Sequence, residues 1–214
     1  MAEFNHGAFV KELRKRRGAI PSDLYMDLMA ALRLGIDGPG AVSPVSVADA
    51  AARSGEPPWL ALARTHMGLK EIPGPRHESR IVAMFAAAKA AWIKDDETPW
   101  CAAFIAWCLV RCGLPIPPGG TAVRALAWKD WGVETRLRVG ALAVFGRDGG
   151  GHVGWLVGEG PKHLYVLGGN QANEVNIMPI AKERLVAVRW PAGAHAYVTA
   201  LPRMSGGTVS TNEA

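Results

Sequence analysis

The chain is poor in cysteine, with three in 214 residues. So sparse and odd a set does not form a disulfide framework, and synthesis in a reducing compartment is the simpler expectation. It also lacks a transmembrane segment, because the continuous apolar run from Trp100 to Val110 is too short to cross a bilayer and suits a core helix. The first residues carry Lys11, Arg14, Lys15, Arg16 and Arg17 with no apolar run behind them. No signal peptide is read there, and any export is expected to use another system. Repeats and low-complexity tracts are missing, and His66, His77, His163 and His195 have no ligand-like spacing to one another. No metal site and no cofactor are therefore expected, which disfavours a metal-dependent hydrolase.

What remains is ordinary globular composition, 49% hydrophobic and 20% charged. A chain of this length holds one full domain plus an appendage. Its net charge of +5 and pI near 9.3 point to an anionic partner or serve only solubility. Nucleic acid is the weakest of the anionic candidates, because no helix-turn-helix, zinc-finger or RNP pattern accompanies the basic residues.

Residues 1–55 read as a small helical appendage, for wall binding or regulation. One helix runs from about His6 to Arg17, another from Ser22 to Leu34, and a shorter one from Ser46 to Arg53. Residues 56–200 read as one continuous domain, and 201–214 as a flexible tail. Within the domain, helices are expected over Trp59–Met67, Glu78–Trp92, Trp100–Cys112 and Thr121–Trp131. Short strands follow over Val139–Phe145, His152–Val157, Leu164–Leu167, Glu174–Ile180 and Leu185–Trp190. Helices first and a strand meander second predict an α+β domain with an antiparallel sheet packed on the helices.

The chemistry centres on Thr98-Pro99-Trp100-Cys101. Pro99 discourages earlier helix, so Cys101 falls in the first helical turn, where free N–H groups and the helix dipole favour a thiolate. About fifty residues on, His152 follows the run Arg147-Asp148-Gly149-Gly150-Gly151, and Gly169-Asn170-Gln171 closes the next strand. A hairpin centred on Pro161 pairs position 152 with position 170, with Cβ atoms ~4.5–5.5 Å apart. Asn170 can then orient the imidazole, as amides do in Cys–His hydrolases. The residues alone leave a second reading open: Cys101 as a small buried hydrophobe, His152 as a satisfied strand-end histidine and Asn170 as a turn former. Cys108 and Cys112 extend along the same helix over ~16 Å, too far to share one ion with Cys101, and read as buried structural thiols. Trp100 and Trp155 adjoin the catalytic candidates. Together with Glu71 and Gln171 they are taken as substrate-binding residues, and Asp95-Asp96-Glu97 as further loop charge near the groove.

The segments LARTHMGLKEIPGP, DDETPWCAAFIAWCL, GHVGWLVGE and VLGGNQANEVNI together resemble NlpC-like cysteine hydrolases related to the CHAP amidases, over about Trp59 to Pro191. The resemblance implies a papain-like α+β fold and cleavage of an amide bond in bacterial peptidoglycan. Cys101 would be the nucleophile, His152 the base and Asn170 the orienting residue. Either a stem-peptide endopeptidase or an N-acetylmuramoyl-L-alanine amidase fits, because both use the same nucleophile and base. One departure bears on the substrate subsite: many NlpC-type enzymes flank the nucleophile with aspartate and serine, whereas here Trp100 and Ala102 do so. The expected setting is a phage lysin, made in the cytoplasm, acting as a monomer on the wall after release. An injected effector with an immunity protein, a non-catalytic wall-binding module and a protein-directed cysteine protease or acyltransferase are the rivals.

Overall fold

A computed structural model describes residues 55–210. They lie within the second of two compact units, residues 44–214. The helices expected before Gly55 lie outside the described residues.

Three α-helices precede the sheet: α1 (Pro58–Arg64), α2 (Ser79–Ala87) and α3 (Cys101–Arg111). Proline at the first helical position starts α1, where its missing N–H costs nothing. Helix α2 is capped by the Glu78 side chain, which accepts from Arg80 N–H, and it buries Ile81, Met84 and Phe85 at helical spacing. Helix α3 is apolar all round and has no solvent face over most of its length. Every residue from Cys101 to Ala106 is buried, because α1, α2 and the sheet enclose it. Burial of Phe104, Ile105 and Leu109, all 0% exposed, contributes on the order of 1.5–3 kcal/mol per side chain. Among the described residues no helix is long and apolar enough to cross a membrane.

The sheet contains β1 (Val133–Glu134), β2 (Leu142–Arg147), β3 (Gly150–Glu159), β4 (His163–Gly168), β5 (Asn176–Ala181) and β6 (Leu185–Trp190) in the order β1-β6-β2-β3-β4-β5. Every pairing is antiparallel. Strands β2 to β5 form a meander, and β6 returns to the other side of β2. This is the expected papain-like α+β arrangement. In the β3–β4 hairpin Trp155 stands opposite Leu167, symmetric about Pro161, as the sequence register predicts. The ladder shifts beyond Leu156, where Gly158 meets Tyr165.

Two expectations are corrected. The helix over Thr121–Trp131 is instead two 3-10 turns, Thr121–Val123 and Ala125–Asp130, divided by an extended Arg124 (φ −101°, ψ 116°). The Trp128 indole N–H donates to Ala122 O at 3.0 Å, a bond that a continuous helix would not leave to a side chain. The tail expected to be flexible is held as far as Ser210. Glu159 exchanges backbone bonds with Pro202 and Met204, Tyr165 Oη donates to Gly206 O at 2.8 Å, and Ser210 N–H donates to Pro179 O at 3.1 Å. Gly158 is part of that fit, because a side chain there would collide with Met204.

Candidate active site

Cys101 is the first residue of α3, and the helical ladder begins with Phe104 N–H on Trp100 O at 2.9 Å. The N–H groups of Cys101, Ala102 and Ala103 therefore have no acceptor within the helix. The Trp100 side chain at the N-cap position makes no capping hydrogen bond. It fixes this end in another way: the ring is 0% exposed, lies edge-on to Phe104, and donates its indole N–H to Glu71 Oε1 at 2.7 Å. Burial pushes the Glu71 carboxyl up, with the Trp100 N–H opposing and the charges of Asp96 and Glu97 adding to the rise. Cys101 itself is 7% exposed.

The loop ahead of the helix is tied by a second carboxylate. Asp96 is fully buried, and it accepts from Ile72 N–H at 2.9 Å, Glu78 N–H at 2.8 Å and His77 Nδ1 at 2.9 Å. Burial alone would raise its pKa, but these donors hold it below the usual aspartate value. Asp95 accepts from Thr98 N–H at 2.7 Å. Two of the three acidic residues expected near the groove thus build the loop that delivers the helix.

His152 is 1% exposed on β3, opposite Phe145. Its Nε2 lies 3.0 Å from Gln171 Oε1. The Gln171 amide nitrogen faces three acceptors, Val166 O at 3.2 Å, Asn176 O at 2.8 Å and Asn176 Oδ1 at 2.8 Å. These fix the amide with its oxygen toward the ring. A carbonyl oxygen only accepts, so Nε2 carries the proton and Nδ1 is the basic nitrogen of the neutral imidazole.

Two glycines join this histidine to the helix. A Cβ at Gly168 would stand 3.0 Å from His152 Nε2 and 2.8 Å from Gln171 Oε1. At Gly169 it would strike the Trp100 ring and approach Phe104 Cβ at 2.9 Å. Neighbouring residues of one chain segment therefore approach the imidazole and the indole that precedes Cys101, an approach open only to residues without side chains.

The residues singled out in the sequence divide accordingly. His152 and the Trp100 ring that precedes Cys101 stand against neighbouring members of this glycine pair. Asn170 lies across from His152 when the Trp155–Leu167 register is extended, yet the amide on the imidazole belongs to the next residue, Gln171. Asn170 takes a left-handed conformation (φ 55°), as do Ala172 (φ 55°) and Asn173 (φ 63°), so the chain reverses and carries Gln171 back over β4. Asn170 is 3% exposed and its Oδ1 has no hydrogen-bond partner among the described residues, a state that costs about 1–3 kcal/mol. A second amide five residues further on, Asn176, was the signal for Gln171, since it clamps that side chain. Trp100 and Trp155 are both 0% exposed and belong to the core rather than to the wall of a cleft. Trp155 faces the Cys108 thiol. Burial pushes that thiol far up, with the Trp155 indole opposing, and Cys112 is pushed up to about 11 by burial. Cys108 is buried, as expected, whereas Cys112 is only partly so. Among the described residues no group of three ligand-type side chains could hold a metal ion.

Residues 93–170 match the family model of the CHAP domain. CHAP domains are typically cysteine- and histidine-dependent amidohydrolases or peptidases. The match spans Cys101 and His152 and ends on Asn170. No curated protein and no solved structure matches the chain.

Proposed function

From the CHAP domain at residues 93–170 we propose that this chain hydrolyses an amide bond of bacterial peptidoglycan, with Cys101 as nucleophile, His152 as base and Gln171 as the residue that orients the imidazole. The observation that carries the reading is the bond of 3.0 Å between His152 Nε2 and Gln171 Oε1, because an amide oxygen that accepts from Nε2 makes Nδ1 the basic nitrogen.

His152 Nδ1 removes the Cys101 thiol proton, and the sulfur attacks the amide carbonyl carbon. Charge develops on the carbonyl oxygen within reach of the backbone N–H groups that open α3. The intermediate collapses as the imidazolium gives its proton to the departing amine, leaving a thioester on Cys101. Water, deprotonated by His152, then attacks the thioester and releases the carboxylic acid and the thiol. The net charge of +5 suits approach to an anionic wall polymer. The bond is either one within the stem peptide or the muramoyl-alanine link, and phage lysis is the setting we favour.

Mass spectrometry of soluble products from purified peptidoglycan, treated with wild type and with Cys101→Ala, tests this. Wild type is expected to release fragments whose masses identify the bond, and Cys101→Ala to fall by ~10³-fold or more while keeping its melting temperature. If neither releases fragments and both bind the sacculus, the binding-module reading replaces the hydrolase.

A further inference from the structure

Around the imidazole the amides of one turn are treated unequally. Gln171 spends its oxygen on His152 and its nitrogen on Val166 and Asn176, and Asn176 Nδ2 returns to Gln171 O at 2.8 Å. Asn170, in the same turn, has a buried Oδ1 with no partner among the described residues. It immediately precedes the Gln171 that holds His152, and the Gly169 before it lies against the Trp100 ring that precedes Cys101. A buried acceptor left without a partner, flanked in the chain by a residue against Trp100 and a residue against His152, is open to a donor from outside the described fold. A peptide supplies one beside the carbonyl under attack, its backbone N–H.

We propose that Asn170 Oδ1 accepts a hydrogen bond from a backbone N–H of the peptide substrate. Asn170 then holds substrate while Gln171 holds the imidazole, two roles split between adjacent residues by the left-handed turn at Asn170. The assignment rests on the hydrolase reading above. It also carries a specificity consequence. A site that offers a buried acceptor to an N–H discriminates strongly against a substrate with an ester oxygen or an N-methyl group there, because the acceptor is left unpaired.

The experiment compares the full chain as wild type, Asn170→Gly, Asn170→Asp and Gln171→Leu. Glycine suits the positive φ, and aspartate keeps an acceptor. Two readouts are taken: kcat/KM on soluble muropeptides prepared from purified peptidoglycan, and the pH profile of Cys101 alkylation by iodoacetamide followed by peptide mapping. Asn170→Gly is expected to lose roughly tenfold to a hundredfold in kcat/KM, with the alkylation profile and melting temperature of wild type. Asn170→Asp should recover part of that loss, and Gln171→Leu should move the alkylation profile. Wild-type turnover by Asn170→Gly overturns the proposal. So does an alkylation profile displaced in Asn170→Gly as in Gln171→Leu, which would make Asn170 a partner of the imidazole. If wild type itself turns over no muropeptide, the hydrolase reading falls and this assignment falls with it. Turnover by wild type equal to that of Asn170→Gly removes this assignment alone.

Discussion

Two buried side-chain oxygens sit in the loops beside the candidate nucleophile, and they are furnished in opposite ways. Asp96 is surrounded by two backbone N–H groups and a histidine nitrogen, whereas Asn170 Oδ1 has no donor among the described residues. The first satisfies a charge and so fixes the loop that delivers α3. The second leaves a neutral acceptor waiting. A fold that spends three donors on one carboxylate and, among the described residues, none on the amide oxygen separates scaffold from site, because satisfied buried groups rigidify and unsatisfied ones cost stability until a ligand arrives.

Breaking the satisfied side should give the largest effect. Asp96→Ala strands two N–H groups and is expected to destabilise by about 3 kcal/mol, read from the urea midpoint. Part of that contribution depends on pH. The folded-state carboxyl titrates below its unfolded value, so its stabilisation is complete above about pH 4 and fades as pH falls through the folded pKa. The stability gap between wild type and Asp96→Asn should accordingly narrow in acid, and a gap that widens below pH 4 would contradict the assignment. Next in size is Gln171→Leu, expected to cost roughly 10²-fold in turnover, about 2.7 kcal/mol at the barrier, since the general base keeps its ring but loses its orientation. Muropeptide kinetics measure it. Gly169→Ala presses a methyl group into Trp100, and overpacking of this kind costs about 1–3 kcal/mol. Thermal unfolding should show the loss, with turnover falling further as the start of α3 shifts. The smallest effect sharpens the comparison from the other side. Ala172 holds a left-handed conformation at an exposed position (φ 55°), so Ala172→Gly should gain about 0.5–1 kcal/mol without changing the pH profile of alkylation.

Much of this was legible in the sequence because it is local. Pro99 and the apolar run after it mark the start of α3, and the hairpin about Pro161 sets its own register, so Cys101 at a helix N-terminus and Trp155 opposite Leu167 both follow without tertiary knowledge. The role of Asn170 was misplaced by one residue. Register arithmetic assumes extended backbone, and the left-handed turn at Asn170 hands the imidazole to Gln171. Trp100 and Trp155 adjoin the candidate catalytic residues in sequence and are nevertheless fully buried, because which face of an aromatic meets the core depends on elements far along the chain. The same holds for Asp96, whose donors come from Ile72, His77 and Glu78 across a loop. The 3-10 turns after Gly120 were hidden for a related reason, since the Trp128 indole takes the Ala122 carbonyl only once the surrounding core exists.

Helix α3 has a consequence for how such a protein changes over generations. Its position is decided by Phe104, Ile105 and Leu109 and by the Trp100 indole, none of which has a chemical role in the proposed reaction, while the proposed reactivity resides in the sulfur of Cys101. A single codon change at Cys101 can therefore silence the chemistry and leave a heritable, intact fold. Drift among the buried neighbours works the other way, because each substitution that moves the helix also moves the thiol. Lineages that keep turnover must conserve a packing pattern, and lineages that abandon it need alter one atom.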